Sequence, residues 1–276
     1  MEIYYVAALF IFGIIIGSFL NVVILRHGTG RSLEGRSGCM SCAKKLSWYE
    51  LVPVLSWCVQ VSRCRGCGSK ISWQYPLVEF ATGLLFAGAY AIVFLTGASG
   101  VGASEYVALA LLALICATLV AITAYDIKHM IIPDSWSAFF AVSSLLFASL
   151  YWFDTPLDML TTPQGWLHLA SGPILFVPFW ALWFFSKGAW IGLGDGKLVV
   201  GIGWLLGLVY GISAIVVGFW LGAIFGVALL LISRLVKHFA RITMKSEIPF
   251  GPFLILGALL ILFFQVNVLE IINLFI

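Results

Sequence analysis

The sequence predicts an all-α polytopic membrane protein of about eight transmembrane helices, with a small cytoplasmic module built on four cysteines. Three observations predict it. Hydrophobic residues make up 62% of the 276 and charged residues 10%, whereas a soluble domain carries about 25% charge. Apolar runs recur at the roughly 20-residue length needed to cross about 30 Å of hydrocarbon. Eight of the 15 Lys and Arg (Arg26, Arg31, Arg36, Lys44, Lys45, Arg63, Arg65, Lys70) fall in one polar stretch that also holds five of the six cysteines.

The first run, 3–25, lacks both a leading basic region and a small-residue cleavage site, and is read as a retained helix rather than a signal peptide. Further runs cover 76–96, 105–125, 135–153 and 168–186, then 197–210, 211–233 and 251–272. The stretch Leu198 to Ser233 is too long for one span and is divided near Gly207 to Gly211, where glycine breaks a helix cheaply. Left whole, it gives seven spans.

Charge tests the count, because cytoplasmic loops are enriched in Lys and Arg. Basic residues fill the loop after the first run and recur in 126–134 (Lys128), 187–197 (Lys187, Lys197) and 234–250 (Arg234, Lys237, Arg241, Lys245). Segments 97–104 and 154–167 have none. Both termini are therefore expected outside, with the cysteine stretch in the cytosol.

That stretch divides the chain into a first helix, 1–25, a polar module, 26–75, and a membrane domain, 76–276. Cys39-Met-Ser-Cys42 and Cys64-Arg-Gly-Cys67 form two C-x-x-C knuckles with 21 residues between them. This is close to the spacing of a four-thiolate zinc site, and a small polar segment needs such a staple to hold a fold. Two disulfides are the competing reading, disfavoured by a reducing cytosol. Cys58 and Cys116 are expected to be core or lipid-facing.

Twelve acidic residues remain to be placed. Glu2, Glu105, Asp154, Asp158 and Glu270 fall at or near the outer face, Glu34 and Glu50 in the module, and Glu247 in a basic loop. Asp126 closes an apolar span and Asp195, in Gly192-Leu193-Gly194-Asp195-Gly196-Lys197, precedes another. Carboxylates at the edge of hydrocarbon generally line a water-filled cavity, and two at one depth point to function more than either alone. The glycines around Asp195 would permit irregular backbone there. Asp134, after Pro133, is expected to be an N-cap. Glu79 is open between binding a substrate cation and pairing with a loop Arg or Lys. Two adjacent carboxylates share a proton, one serving as base toward water and one as acid toward a carbonyl, which is aspartyl peptidase chemistry. The expected substrate is a peptide bond at the cytosolic membrane edge.

With the aspartates placed, the chain resembles the type IV prepilin leader peptidase family, of the GxGD type, over nearly its whole length. Gly17-Ser18-Phe19-Leu20-Asn21-Val22-Val23, the paired knuckles, Ile71-Ser72-Trp73-Gln74-Tyr75-Pro76-Leu77-Val78-Glu79, Asp126 with Ile132-Pro133-Asp134, Gly192-Leu193-Gly194-Asp195 and Pro249-Phe250-Gly251-Pro252 match its motifs in order. The resemblance implies an inner-membrane enzyme that cuts the basic leader from prepilins or pseudopilins with Asp126 and Asp195, serving pilus or type II secretion machinery. It also implies N-methylation of the new terminus with S-adenosylmethionine, zinc on Cys39, Cys42, Cys64 and Cys67, and no nucleic-acid partner. The chain departs from the pattern at Met40, where proline commonly follows the first cysteine. It departs again at Ser62, where a glycine associated with methyl transfer commonly precedes the third. No Gly-rich strand-to-helix turn offers a site for S-adenosylmethionine. Rival readings are a proton- or cation-coupled transporter, which predicts paired half-sequences that are not seen, and a docking adaptor, which leaves both aspartates unexplained.

Overall fold

The computed structural model describes residues 2–30, 32–95, 102–153, 155–235, 248–268 and 270. Arg31, Asp154, residues 97–101 of the first outer segment, and Lys237, Arg241, Lys245 and Glu247 lie outside the described residues, as does the side chain of Arg234. Among the described residues, extended pairing is limited to the isolated bridges Gly38–Lys45 and Arg63–Lys70, and the rest of the regular structure is helical. The chain divides into two compact units, Met1–Gly102 with Cys116–Ala124, and Ala103–Ile115 with Tyr125–Ile276.

In the first unit, α1 (Glu2–Arg26) carries Glu2 in its first turn and Arg26 in its last, the arrangement the helix dipole favours. It buries only Gly13, Gly17, Asn21 and Ile24, a stripe of mostly small residues. Apolar residues elsewhere on α1, such as Ile3, Ile11, Ile15 and Phe19, are exposed, as suits a helix surrounded by lipid. The stripe packs on α3 (Gln74–Tyr90), which runs on through a π turn at Ala91–Leu95. A Cβ on Gly13 would lie 2.8 Å from the Gly83 Cα. Glycine is required here because two backbones touch, the usual device of helix pairs in membranes. Between α1 and α3 lie the cysteine module and its short helix α2 (Leu55–Val59).

The second unit takes in most of α4 (Ala103–His129), then α5 (Asp134–Tyr151), the short α6 (Asp158–Thr161), α7 (Pro163–Ser186), α8 (Leu193–Leu235) and α9 (Gly251–Phe264). Helix α8 is its axis, packed by α5, α7 and α9. The core includes Phe140 and Phe147 of α5, Leu198, Ile202 and Leu205 of α8, and Leu254 and Ile255 of α9, all with 2% exposure or less.

Five described helices are long and apolar enough to cross a membrane: α1, α3 with its π turn, α4, α7 and α8. The expected eight spans are therefore not all found, for reasons of composition and length. Helix α5 has 18 residues but includes five serines, and α9 has 14, about 21 Å of rise. The stretch expected as two spans lies within Leu193–Leu235, which is interrupted at Gly207, where φ is 77° and ψ −178°, so two helices meet at the expected break.

That break frees the carbonyls of residues 203, 204 and 205, which in a continuous helix would accept from residues 207, 208 and 209. Side chains replace the lost donors. Ser171 Oγ donates to Gly203 O at 2.7 Å, His168 Nε2 to Trp204 O at 2.8 Å and Trp152 Nε1 to Leu205 O at 3.0 Å. The break is thus a stable feature with its buried acceptors satisfied. A cavity of about 400 Å³ opens beside it, lined in part by Trp152, His168, Leu206 and Tyr210.

Candidate active site and metal centre

Both aspartates fall in the second unit, at helix ends. Asp126 lies one turn inside the C-terminal end of α4, which runs on to His129, so the expected loop 126–134 shrinks to residues 130–133. Asp195 is the third residue of α8, a position the helix dipole favours for a carboxylate. Asp126 is 4% exposed, and the Gly251 backbone N–H at the start of α9 donates to it. Asp195 is half-buried and accepts the Gly192 backbone N–H just ahead of its own helix. The two carboxylates are close enough to repel one another. Three segments far apart in sequence thus meet at one polar point.

Glycines make the meeting possible, though not as expected. Gly194 and Gly196 are helical rather than irregular; their role is close packing. A Cβ on Gly194 would lie 3.2 Å from the Ile132 Cβ, and one on Gly196 would lie 3.1 Å from the Phe176 ring. A Cβ on Gly251 would come within 2.6 Å of Asp126 Oδ2 and 3.0 Å of Ile132 Cδ1. Ile132, 8% exposed, is therefore wedged between Gly194 and Gly251, beside Asp126. Neither Ile132 nor the Gly251 donor was singled out as a functional group in the sequence, where Gly251 stood out only within a Pro-Phe-Gly-Pro motif.

Asp134 corrects an expectation. It is the first residue of α5 with Pro133 as the cap, and its carboxylate accepts a 2.6 Å ion-paired hydrogen bond from Lys197 Nζ. It is therefore not an N-cap. The pair links the start of α5 to the first turns of α8, two residues beyond Asp195. The lining of the cavity beside Gly207 includes Asp158 but neither Asp126 nor Asp195.

In the first unit, the Sγ atoms of Cys39, Cys42, Cys64 and Cys67 all lie within 4.8 Å of one another. Cys39 Sγ and Cys67 Sγ are 3.8 Å apart, equal to the edge of a tetrahedron with Zn–S bonds of about 2.3 Å, or about 3.8 Å. The knuckles are copies of one turn. Cys39 N–H donates to Lys44 O and Cys64 N–H to Ser69 O, each at 2.9 Å. Ala43 N–H returns to Cys39 O and Gly68 N–H to Cys64 O. Ser41 N–H points at Cys39 Sγ and Gly66 N–H at Cys64 Sγ, at 3.4 and 3.3 Å.

Backbone donors from Cys42 and Ser41 hold the Cys39 thiol down at about 6, poised as a thiolate. A Lys44 backbone donor favours the Cys42 thiolate too, but the neighbouring Cys67, Cys39 and Cys64 sulfurs and burial outweigh it, and that thiol is pushed up to about 11. The set cannot hold four negative charges without a cation in its centre. The residues fit a zinc ion by number, spacing and donor type. Cys116 is buried in α4, as expected of a core residue, and Cys58 is exposed on α2, outside the core.

Comparison with known proteins bears on both sites. Residues 11–93 match the model of the bacterial peptidase A24 N-terminal domain, and residues 113–227 that of the type IV leader peptidase family. A prepilin leader peptidase/N-methyltransferase of Bacillus subtilis is 32% identical over 253 residues, 91% of this chain and 91% of that one. The chain belongs to the prepilin leader peptidase/N-methyltransferase family. The Burkholderia pseudomallei member is 33% identical over 286 residues, covering 92% of this chain and 84% of its own. The Myxococcus xanthus member is 54% identical over 79 residues, 28% of this chain and 24% of its own. No solved structure matches the chain.

The two matched regions of this family divide the sites between them. The first contains all four cysteines and Glu79, and the second contains both aspartates. The departure at Ser62 acquires a physical meaning, because Ser62 has φ of 55° and follows Val61 at 50°. A glycine in that place relieves a left-handed backbone, so the serine carries a conformational cost. Glu79 is 6% exposed and pairs with neither Arg nor Lys among the described residues; its Oε2 accepts the Val54 backbone N–H at 2.6 Å.

Proposed function

We propose that the protein removes the basic leader from prepilins or pseudopilins and N-methylates the terminus so exposed, with Asp126 and Asp195 as the peptidase dyad. The observation that carries the peptidase assignment is the convergence of the two carboxylates, each held by a glycine N–H. With one proton shared between them, the ionised carboxylate draws a proton from a water that attacks the scissile carbonyl. The protonated one donates to the carbonyl oxygen and then to the leaving amine. The glycine donors fix which carboxylate oxygens are occupied and leave the others free for water and substrate. Apolar walls such as Ile132 exclude bulk water from the reacting atoms.

In this reading residues 26–75 are a module stapled by structural zinc on Cys39, Cys42, Cys64 and Cys67, and the peptidase chemistry lies within 76–276. The basic loops support a cytoplasmic-membrane location with the dyad at the cytosolic edge, where a substrate anchored by its own apolar helix presents its leader. The products supply pilus or type II secretion assemblies. S-adenosylmethionine would supply an electrophilic methyl group for the second activity. Among the described residues no strand-to-helix glycine turn cradles such a donor, so no residue is assigned to hold it.

Processing of a prepilin by the full chain in micelles, read by mass spectrometry, tests the dyad. Wild type should release the leader, whereas Asp126→Asn and Asp195→Asn should each lose at least about 10³-fold in rate, the scale of a lost essential acid or base. Residual cleavage near the wild-type rate by either variant would reassign the pair. A gain of about 14 Da with S-adenosylmethionine reports methylation in the same spectrum.

A further inference from the structure

The first unit holds a buried carboxylate without a cation. Glu79 has the Val54 N–H on one oxygen and the Ser18 hydroxyl beside it, yet neither ion pair among the described residues includes it. A buried carboxylate is costly to keep unless a positive charge comes to it. The Val54 donor is itself held at strain. This β-branched residue has φ of 61° and ψ of −54°, a conformation that persists where surrounding structure enforces it, commonly at ligand clamps.

Two buried polar atoms in the same part of the first unit lack partners. A Cβ on Gly17 would lie 2.6 Å from the Glu79 Cα, and one turn along α1 from Gly17 stands Asn21, 1% exposed. Its Nδ2 donates to Gly17 O and Tyr75 O at 3.3 and 3.2 Å, which fixes the amide's orientation, and its Oδ1 is buried with no donor. Gln74, adjacent to Tyr75, leaves its Nε2 donor buried without an acceptor. Such groups are rare enough in native proteins that each calls for a missing partner.

The three complement one chemical object. A carboxylate and an amide oxygen suit an ammonium, which brings a charge and several N–H donors. An unpaired amide donor suits a carbonyl. A peptide's free N-terminus offers both within one residue, whereas a sulfonium has no N–H to give Asn21 and an anion would be repelled by Glu79. We propose that Glu79 and Asn21 seat the α-ammonium of a free peptide N-terminus, with Gln74 taking its first carbonyl. The proposal rests on the reading of the protein as an N-methyltransferase of newly exposed termini, and gives that activity its acceptor site. The same carboxylate can take the proton an ammonium must lose before its nitrogen is alkylated.

The test is binding, without any methyl donor. A fluorescent peptide of mature N-terminal sequence, with a free amine or N-acetylated, is titrated into the full chain in detergent near pH 7, where an α-amine of pKa about 8 is protonated. Wild type should bind the free-amine form at least tenfold more tightly, and Glu79→Gln and Asn21→Leu should lose that preference. Equal affinity of wild type for both peptides overturns the proposal, and so does a preference undiminished in Glu79→Gln. Equal affinity in the wild type overturns the proposal even where a variant fails to fold. Adding S-adenosylmethionine to cleaved substrate separates the two readings. Amine-selective binding with no mass gain refutes the methyltransferase reading alone. A mass gain per cleaved molecule that is unchanged in Glu79→Gln refutes the ammonium seat alone, and a loss of at least tenfold, partly restored in Glu79→Asp, supports it.

Discussion

The cysteine cluster and the aspartate site solve one problem by opposite means. Each gathers like-charged groups from distant parts of the chain, against their mutual repulsion. The cysteines do it with two short hydrogen-bonded turns whose shape is fixed locally, down to matching N–H contacts on Cys39 and Cys64. The aspartates do it with whole helices, brought close where Gly194 and Gly251 lack side chains. The first arrangement presents four sulfurs to a common centre and, with zinc bound as proposed, would depend on the ion to hold it; the second depends on packing inside the second unit. Removing the ion and filling the glycine space should therefore injure different activities.

Metal removal should give the largest effect. Structural zinc binding is worth about 10 kcal/mol or more to a small module, so stripping it with a chelator, or substituting Cys39→Ser with Cys42→Ser, should unfold much of residues 26–75. Methylation of a pre-cleaved peptide should fall at least about 100-fold, while cleavage, proposed to lie in the other unit, should fall by less than about tenfold. Metal content, proteolytic nicking between residues 26 and 75, and the mass-spectrometric assay measure the three outcomes together. Methylation that survives in the double variant would show that the module does not depend on its ion.

Gly251→Ala is the reciprocal injury. The added methyl group would overlap Asp126 Oδ2 and crowd Ile132, displacing the carboxylate from the N–H that holds it. An ångström of misplacement costs about 100-fold in catalysis. Cleavage should fall by roughly 10- to 100-fold, with methylation of a pre-cleaved peptide within about twofold of wild type. An equal loss of both activities would mean that the two units fail together and that the contrast drawn between them is false.

The contrast also explains what the sequence could reveal. The knuckles were legible because their geometry is local: two residues separate the cysteines of each pair, and the turn does the rest. Asp126 and Asp195 were legible because acidic residues are scarce in so apolar a chain. The Gly251 donor and the Ile132 wedge were not, since they arise from packing between α9, α8 and the turn before α5. Asp134 was misread as a cap because nothing in the sequence ties it to Lys197, 63 residues away. The break near Gly207 is legible because glycine ends a helix cheaply, whereas the side chains of Trp152, His168 and Ser171 that satisfy the freed carbonyls come from elsewhere in the fold and are not. The serines of α5 make it less apolar than its length suggests.

The Asp134–Lys197 pair tests how finely the aspartate site depends on helix placement. It joins the start of α5 to α8, the helix that carries Asp195, yet Asp134's side chain is 75% exposed, and exposed pairs contribute about 0–1 kcal/mol. Asp134→Asn or Lys197→Gln should lower the cleavage rate by no more than about fivefold, the rate equivalent of that energy, with KM little changed. The swapped pair, Asp134→Lys with Lys197→Asp, should recover most of the loss. Complete inactivation by Asp134→Asn would instead make this carboxylate part of the chemistry.

The smallest expected effect lies in the module. Ser62 and Val61 both hold left-handed backbone between α2 and the second knuckle, and Ser62 is fixed there by its N–H to Trp57 O at 3.0 Å and by the Ile71 N–H to its own carbonyl at 2.7 Å. Those bonds force the conformation whatever the residue, so Ser62→Gly should relieve about 1 kcal/mol of strain without moving an atom of the zinc cluster. The variant should resist chelation at a few-fold higher chelator concentration, with methylation per cleaved molecule unchanged. A large rise in methylation at equal metal content would show that the family's glycine serves the transfer itself, and that backbone strain is not why this position matters.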